Sequence, residues 1–426
     1  MRLLLRWLYA VAARLATVAG GVVPAGDSKT AIAIHARRGL RVRYRDWASA
    51  QRDRRRPLLW AHAPSVGEGL QARPVLSLVR ERRPSVQLAY TYFSPSAVEF
   101  ARSLDVDFTD YLPFDDAREM RAAIDALAPT ALVFSKLDVW PTLVREARRA
   151  GVRVGMISAT LGASSGRRGG AASLLLRDAY AALDAVGAVD PADADRLVEL
   201  GVRREVIEIT GDTRFDQVWL RAERLDRDSR LLRQLQADRP TVVAGSTWPS
   251  DEAHLLPAFR RVREHVPAAR LVIAPHELSA EHLGNIESWA RESALKLERV
   301  DGATSDADVV LVDRFGILGD LYALADVAFV GGGFHAAGLH SVLEPAAFGA
   351  PVLFGPKRER SRDALVLEAA RGGRSVTSST DIEAILREWL NAPDARKRAG
   401  DNARAMVDAG RGAAERSFAL VDRLLS

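Results

Sequence analysis

Short apolar runs alternate with amphipathic stretches along most of this chain from residue 57 onward. One series of runs reads PLLWAHA, VQLAYTYF, TALVFS, VRVGMISA and AVGAV, and a second reads PTVVAGS, ARLVIAP, ADVVLVD, VAFVGG and PVLFG. Short, uninterrupted apolar runs between helical stretches are typical of strands in a parallel sheet that helices cover on both faces. The pattern therefore predicts an α/β fold with two doubly wound, Rossmann-like domains.

A polar, arginine-rich stretch with helical character, residues 219–240, separates the two series and predicts an interdomain connection. We expect an N-terminal α/β domain over residues 25–218 and a C-terminal one over residues 241–400. Residues 401–426 are expected to form helices, split near Gly410, that pack back on the N-terminal domain. Because doubly wound sheets bind ligands beyond the carboxyl ends of their strands, we expect the site in the cleft where the two domains face each other.

The first 24 residues form a separate feature, MRLLLRWLYAVAARLATVAGGVVP, which is apolar but interrupted by Arg6 and Arg14. A secretory signal peptide carries its charge ahead of the apolar core, and a transmembrane helix rarely contains arginine within its length. The pattern favours a membrane-associating helix that lies in the interface, or a short anchor whose arginines extend to the headgroups.

An arginine cluster follows this segment, because residues 37–56 contain nine arginines and two aspartates. A nucleic acid or an anionic lipid surface could each attract such a charge. The neighbouring apolar helix favours the anionic membrane or a phosphorylated lipid. We therefore expect Arg52, Arg54, Arg55 and Arg56 to contact a lipid acceptor or the membrane, and we expect no nucleic-acid partner.

Composition narrows the chemistry further. At 426 residues the chain is too long for one hydrophobic core, and it contains no cysteine, which excludes disulfides and thiolate metal sites. The eight histidines show no metal-ligand spacing, and the pair Asp115 and Asp116 lies at a predicted helix start, where carboxylates commonly cap. No G-x-G-x-x-G fingerprint follows the first strand of either series. We therefore expect neither a metal nor a cofactor.

Polar motifs follow the ends of several predicted strands: SVGEG, GSTWPSDE, PHE and a triple glycine. Glu68, in SVGEG, has the chemistry of a general base for an attacking hydroxyl, although a carboxylate in the first turn of a helix would look the same. Ser246 and a helix predicted to begin near Ser341 offer hydroxyl and free N–H groups to a phosphate. Glu344, one turn into that helix, could accept both hydroxyls of a ribose or simply cap the helix.

These motifs resemble, in their order, those of the 3-deoxy-D-manno-octulosonic acid (Kdo) transferases, a family of GT-B glycosyltransferases of lipopolysaccharide synthesis. HAPSVGEG resembles HxxSVGE, FSKLDVWPTL resembles ETELWPN, TGDTRFD resembles TGNLKFD, AGSTWPSDE resembles STHEGEE, and GLHSVLEPAAFGAPVLFGP resembles GGHNPLEPAAFGKPVLFGP. The resemblance implies inverting, metal-independent transfer of Kdo from CMP-Kdo to a lipid A precursor, lipid IVA, at the cytoplasmic face of the bacterial inner membrane.

The resemblance also implies site residues. The general base would be Glu68, with Lys136, Asp138 and Arg214 in supporting catalytic positions. The CMP-binding positions would be Ser246, His276, Glu277, Phe315, Gly316, Ile317, His340, Ser341, Val342, Leu343 and Glu344. Several residues depart from the family pattern: Lys136 stands where the family has a glutamate, Arg214 replaces a lysine, and PHE stands where many members have PRH. These departures indicate a divergent branch.

Two alternatives remain open from the sequence. One is another GT-B enzyme, such as a UDP-sugar epimerase or a hexosaminyl transferase. The other is a membrane-bound protein that binds a sugar nucleotide without catalysis. The charge reversal at Lys136 is the best support for the second alternative, whereas Glu68 and Glu344 argue against it.

Overall fold

The structure of the chain, a computed structural model, describes residues 2–22, 26, 28–162 and 170–426. The chain divides into two compact units, the first comprising Met1–Gln217 and Arg411–Ser426 and the second Val218–Gly410. Each unit is built around one parallel sheet of seven strands within the described ranges. The predicted α/β fold with two doubly wound sheets is therefore confirmed.

The first sheet has the strand order β3-β2-β1-β4-β5-β6-β7. Its strands are β1 Leu58–His62, β2 Gln87–Tyr92, β3 Phe108–Tyr111, β4 Ala131–Ser135, β5 Arg153–Ala159, β6 Ala185–Ala188 and β7 Ile207–Ile209. The residues of β1, β2 and β4 are all buried. The direction in which successive strands are added reverses between β1 and β4, and such a switch point is where doubly wound sheets place their ligands.

Helices cover this sheet, and short polar side chains cap the starts of some of them. They are α1 Arg2–Val22, α2 Lys29–Ala36, α3 Leu40–Gln51, α4 Val66–Arg82, α5 Val98–Arg102, α6 Ala117–Leu127, α7 Pro141–Arg149, α8 Gly170–Ala181, α9 Pro191–Leu200, α10 Thr213–Arg224 and α19 Ala413–Leu425. Asp116 caps α6, and the buried Asp115 accepts hydrogen bonds from the Thr142 and Leu143 backbone N–H groups in α7. The aspartate pair thus serves helix starts.

The second sheet has the order β10-β11-β9-β8-β12-β13-β14, with its switch point between β8 and β12. Its strands are β8 Thr241–Thr247, β9 Arg270–Pro275, β10 Leu297–Arg299, β11 Val309–Leu311, β12 Val327–Val330, β13 Val352–Phe354 and β14 Gly373–Ser375. Its helices are α11 Arg230–Leu235, α12 Pro249–His265, α13 Ala280–Glu292, α14 Leu318–Leu321, α15 Leu343–Ala347, α16 Arg362–Ala369, α17 Ser379–Asn391 and α18 Pro393–Ala409.

Two helix starts bear on the candidate site residues. Helix α4 begins at Val66, so Glu68 lies in its first turn. The second glycine of SVGEG, Gly69, packs closely against Phe100, since a Cβ at this position would lie 2.3 Å from the Phe100 ring. The helix expected near Ser341 begins at Leu343 and contains five residues.

The N-terminal helix α1 contacts the first unit through polar side chains. The Tyr9 hydroxyl donates to Asp115 Oδ2 at 2.8 Å, and Arg14 lies 3.6 Å from Asp116. Its exposed apolar side chains are Leu4, Trp7, Leu8, Leu15 and Val18. Within the described part of the chain, no helix is both long and apolar enough to cross a membrane.

The C-terminal helix α19 completes the first unit. Leu420 and Leu424 are buried in its core, and a Cβ on Gly155 of β5 would lie 2.5 Å from Leu424. The helix begins after Gly412, which has no side chain to cap it. Asp216 substitutes for that cap, since its carboxylate accepts hydrogen bonds from the Gly412 N–H at 2.7 Å and the Ala414 N–H at 2.9 Å.

We expect Asp216→Ala to lower the free energy of unfolding by about 1–3 kcal/mol, because two backbone N–H groups at a helix start lose a charged acceptor. Urea denaturation at constant pH measures the change. Asp46→Ala is the control, since Asp46 is exposed and pairs only loosely with its neighbour Arg45 at 3.6 Å. An unchanged midpoint in Asp216→Ala would show that Asp216 does not hold α19.

Candidate active site

Glu68 lies just beyond the carboxyl end of β1, at the switch point of the first sheet. Ser65 donates its hydroxyl to Glu68 Oε2, and Ser135, the last residue of β4, donates to the Glu68 carbonyl at 2.8 Å. The side chain is one-fifth exposed. A partly exposed carboxylate held in this way is accessible to a substrate and has a restricted orientation.

Lys136 follows β4 and lies next to this carboxylate. Its Nζ is 3.6 Å from Glu68 Oε1, and its side chain is 43% exposed. Its backbone has a φ of 66°, a left-handed conformation that is uncommon for residues other than glycine. The lysine that replaces the family's glutamate at this position therefore places its ammonium beside the candidate base.

Arg214 and Asp138 are the other two catalytic positions suggested by sequence. Arg214, at the start of α10, forms a two-point ion pair with the buried Asp212 at 2.9 and 2.7 Å. Burial alone would raise the pKa of Asp212, but the Arg214 charge and the hydrogen bonds from Arg214 and Gln71 hold that pKa below its usual value. Because Gln71 belongs to α4, the helix that carries Glu68 also contacts the start of α10. Asp138 lies in the turn between β4 and α7, half-buried.

In the second unit, one buried carboxylate organises the loops beyond β8 and β12. Asp251 accepts hydrogen bonds from the N–H groups of Trp248 at 2.9 Å, Gly332 at 2.7 Å and Phe334 at 2.9 Å. The loops approach so closely that a Cβ on Gly331 would lie 2.2 Å from the Ser246 carbonyl oxygen. The triple glycine is therefore a packing requirement at the switch point of the second sheet.

Four rings gather at the same edge, and we call Trp248, His276, His335 and His340 the ring cluster. The Trp248 ring lies 4.4 Å from His276 and 4.0 Å from His335, stacked on both, and His276 lies 4.6 Å from His340. Motif comparison suggested His276 and His340 but missed Trp248 and His335. In the described ranges, no three His, Asp or Glu side chains are arranged to hold a metal ion.

Glu344 is the second residue of α15 and is half-buried. Burial raises the pKa of its carboxyl, Arg221 opposes the increase, and Asp320 adds to it. Arg221 itself is paired with Asp320 at 2.9 Å. The residue before α15, Val342, provides no side-chain cap, and Glu344 lies in the first turn with no hydrogen-bond partner among the described residues. Its carboxylate is available to accept hydrogen bonds from a ligand.

The remaining donor positions differ in what they expose. Phe315 is 73% exposed on the loop after β11, and Gly316 beside it has a φ of 90°. Val342 and Leu343 are fully buried, so only their backbone atoms remain for a ligand. Half-buried positions are Ser246, Ile317 and His340, and exposed ones are Glu277 and Ser341.

The arginines expected to contact a lipid have structural contacts of their own. Arg52 donates to the carbonyl oxygens of Leu127 at 2.7 Å and Ala128 at 2.9 Å, and Arg56 donates to the carbonyl of Ser85 at 2.8 Å. Arg54 donates to the carbonyl oxygen of Asp125 at 2.8 Å, and Arg55 donates to the side-chain carboxylate of Asp53 at 3.1 Å. Arg54 and Arg55 are exposed, whereas Arg52 and Arg56 are half-buried. Lipid contact by these four stays a prediction.

Two doubly wound sheets with polar groups at both switch points place the chain in the GT-B fold class. UDP-GlcNAc 2-epimerase from Neisseria meningitidis has a similar structure, with a TM-score of 0.62, 13% identity, and coverage of 87% of this chain and 99% of the epimerase. A glycosyltransferase from Rickettsia africae gives a TM-score of 0.56 at 11% identity, covering 87% of this chain and 99% of that one. At such identities these likenesses show the fold alone.

Sequence relatives then define the family. The family model described as 3-deoxy-D-manno-octulosonic-acid transferase (kdotransferase) matches residues 37–217. The 3-deoxy-D-manno-octulosonic acid transferase of Bordetella pertussis is 30% identical over 384 residues, 84% of this chain and 86% of its own length. The enzyme of the same name from Haemophilus influenzae is 25% identical over 375 residues, 85% of this chain and 86% of its own length. The chain belongs to the Kdo transferase family, as the motifs indicated.

We expect Glu344→Gln to be more stable than the wild type at neutral and higher pH. Because the native pKa of Glu344 is raised above its ordinary value of 4.5, the native state binds this proton more tightly than the unfolded state. That contribution to stability is fully present below the ordinary pKa and is lost as pH rises through the native pKa. The free energy of unfolding of the variant should therefore rise relative to that of the wild type as pH increases from about 5 to about 8.

Chemical denaturation of both proteins at the two pH values tests this expectation. Glu292→Gln, which alters an exposed carboxylate at the end of α13, is the matched control and should show no such pH dependence. If Glu344→Gln loses stability equally at both pH values, the carboxylate is paired within the protein.

Proposed function

We propose that this protein transfers Kdo from CMP-Kdo to a lipid A precursor, lipid IVA, with inversion, as a step of lipopolysaccharide synthesis. Membership of the Kdo transferase family supports the class of reaction. The observation that carries the proposal is the Glu68 carboxylate, partly exposed at the switch point of the first sheet and oriented by Ser65 and Lys136. A sugar hydroxyl is a weak nucleophile, and a positioned carboxylate can activate it by removing its proton.

In this mechanism Glu68 removes the proton of the acceptor hydroxyl as its oxygen bonds to the anomeric carbon of Kdo. The bond from that carbon to the phosphate oxygen breaks, and CMP leaves with the electron pair. Attack on the face opposite the leaving group inverts the anomeric centre. Lys136, paired with the base, keeps the carboxylate in one orientation, and Arg214 supplies a fixed positive charge that favours the departing phosphate.

For the donor, we propose that the CMP ribose hydroxyls donate hydrogen bonds to Glu344. Glu344 is half-buried and has no hydrogen-bond partner among the described residues, which supports this assignment because its carboxylate is available to accept hydrogen bonds. The exposed ring of Phe315, beside Gly316 with its left-handed backbone, is suited to contact the base. The donor is a substrate, and we propose that no metal or other cofactor takes part.

For the acceptor, we propose that α1 lies in the interface of an anionic inner membrane, on its cytoplasmic face. Its exposed Leu4, Trp7, Leu8, Leu15 and Val18 would enter the lipid. A cavity of about 430 Å³ lies between α1, α7 and α8. It has apolar walls from Pro141, Val144 and Leu175. Its other lining residues include four arginines that each pair with an acidic side chain: Arg6 with Asp178, Arg145 and Arg149 with Glu146, and Arg148 with Asp184. This combination suits a lipid that carries both phosphates and acyl chains.

We expect Glu68→Gln to lower kcat by about 10² to 10⁴, the usual contribution of a general base, while CMP affinity stays within about twofold. The assay is transfer from CMP-Kdo, generated in situ, to lipid IVA, read by mass spectrometry, and a chelator should leave the wild-type rate unchanged. Glu81→Gln, an exposed position on the same helix α4, is the matched control. A kcat for Glu68→Gln within threefold of wild type would falsify the assignment.

We expect the double variant Trp7→Gln and Leu15→Gln to bind anionic lipid vesicles at least about tenfold more weakly. Each lost apolar side chain removes about 1.5–3 kcal/mol of burial. Vesicle co-sedimentation measures the change, and Val198→Gln, which alters an exposed apolar residue on α9, is the control. If the double variant sediments like the wild type, then α1 is not the contact and the exposed Arg54 and Arg55 become the leading candidates.

A further inference from the structure

The ring cluster is assembled from the ends of three adjacent strands in the second sheet. His276 follows β9, Trp248 follows β8, and His335 and His340 follow β12, and these strands are neighbours in the order β9-β8-β12. The imidazoles of His276 and His335 both stack on the Trp248 indole, with interplanar angles of 27° and 7°. All four rings therefore belong to one contiguous group at the switch point.

Hydrogen bonding keeps one of these imidazoles neutral. The Trp248 indole N–H donates to His340 Nε2 at 3.4 Å, so that nitrogen carries no proton. Burial lowers the pKa of His340, His276 and His335 lower it further, and Asp251 partly opposes them. Adding a proton to His340 Nε2 would break the bond from Trp248. His335 is constrained in the same way, because its Nδ1 accepts a hydrogen bond from the Ala337 N–H at 3.1 Å. His276 is therefore the member of the cluster that can gain charge without losing a hydrogen bond to the described residues.

The charged groups around the cluster are mostly occupied elsewhere. The carboxylate of Asp251, from α12, accepts hydrogen bonds from three backbone N–H groups. Lys357, after β13, donates to the Phe334 carbonyl at 3.0 Å. His254, also from α12, stacks on Phe334, and Glu277 is exposed beside His276. Among the described residues, no ion pair joins a carboxylate to any imidazole of the cluster. An anionic ligand could therefore supply the negative charge that the described residues do not provide to the cluster.

We propose that the ring cluster binds the phosphate of the donor and takes up a proton when it does so. The inference rests on the proposed function and deepens it. Imidazole changes charge near neutral pH, a phosphate beside it favours the charged form, and an indole face stabilises a cation stacked on it. His276 occupies a position where many family members have arginine, so this chain replaces a permanent cation with one that forms on binding.

Calorimetric titration of the full chain with the methyl ester of CMP tests the proposal. This phosphodiester carries one negative charge at every pH used, so any proton taken up comes to the protein. Titrations in two buffers with different ionisation enthalpies, HEPES and Tris, give the number of protons. We expect uptake of roughly half to one proton near pH 7, and an affinity that falls about three- to tenfold from pH 7 to pH 8.

Cytidine, which lacks the phosphate, is the ligand control and should bind without proton uptake. The double variant His276→Gln and His335→Gln should lose most of the uptake, whereas His265→Gln, at the exposed end of α12, should keep it. His276→Arg restores a permanent cation and should bind the ester with a weaker pH dependence. This variant keeps the proposal testable if the double variant does not fold.

Two results would overturn the proposal, and only one of them would also overturn the proposed CMP-sugar site. If the methyl ester binds without proton uptake, or with the same uptake as cytidine or the double variant, then the cluster does not charge on binding and donor binding itself still stands. If the methyl ester does not bind at all, both this inference and the proposed CMP-sugar site are wrong.

Discussion

A parallel strand that helices cover on both faces presents no surface along its length, so functional side chains must lie beyond its ends. In the first unit, β1 leads to Glu68 and β4 leads to Lys136, and the strand order brings these opposite charges within 3.6 Å. In the second unit, β9, β8 and β12 deliver the ring cluster in the same way. Each group of candidate residues is therefore defined by strand order and not by nearness in sequence.

The acidic side chains that lie in or near the protein interior differ in the hydrogen-bond donors that contact them. Asp251 receives three backbone N–H groups, Asp212 receives a guanidinium, and Asp115 receives two N–H groups and a tyrosine hydroxyl. These acids organise loops and helix starts. Glu344 is half-buried and has no hydrogen-bond partner among the described residues. This unused hydrogen-bonding capacity distinguishes a candidate ligand contact from an acid that holds the fold.

The central strands could be predicted from sequence because burial on both faces makes them continuous apolar runs. The strands β3, β7, β10 and β14 could not, since each has three or four residues and is partly exposed. Sequence motifs predict several of the candidate site residues, namely Glu68, His276, His340 and Glu344. Trp248 and His335 do not, because their stacking depends on which strands are neighbours. The carbonyl oxygens that Arg52 contacts could not be predicted either, because the number of arginines in a segment does not show which backbone groups lie near them.

The discontinuity of the first unit has a consequence for synthesis. Its core includes Leu420 and Leu424 of α19, yet 193 residues of the second unit, Val218–Gly410, precede that helix in the chain. On the ribosome, which adds roughly 5–20 residues per second, the sheet around β5 waits about ten seconds or more for its covering helix. During that interval the first unit exposes apolar surface that a chaperone or the membrane could cover. The unit made first is thus the last to be completed.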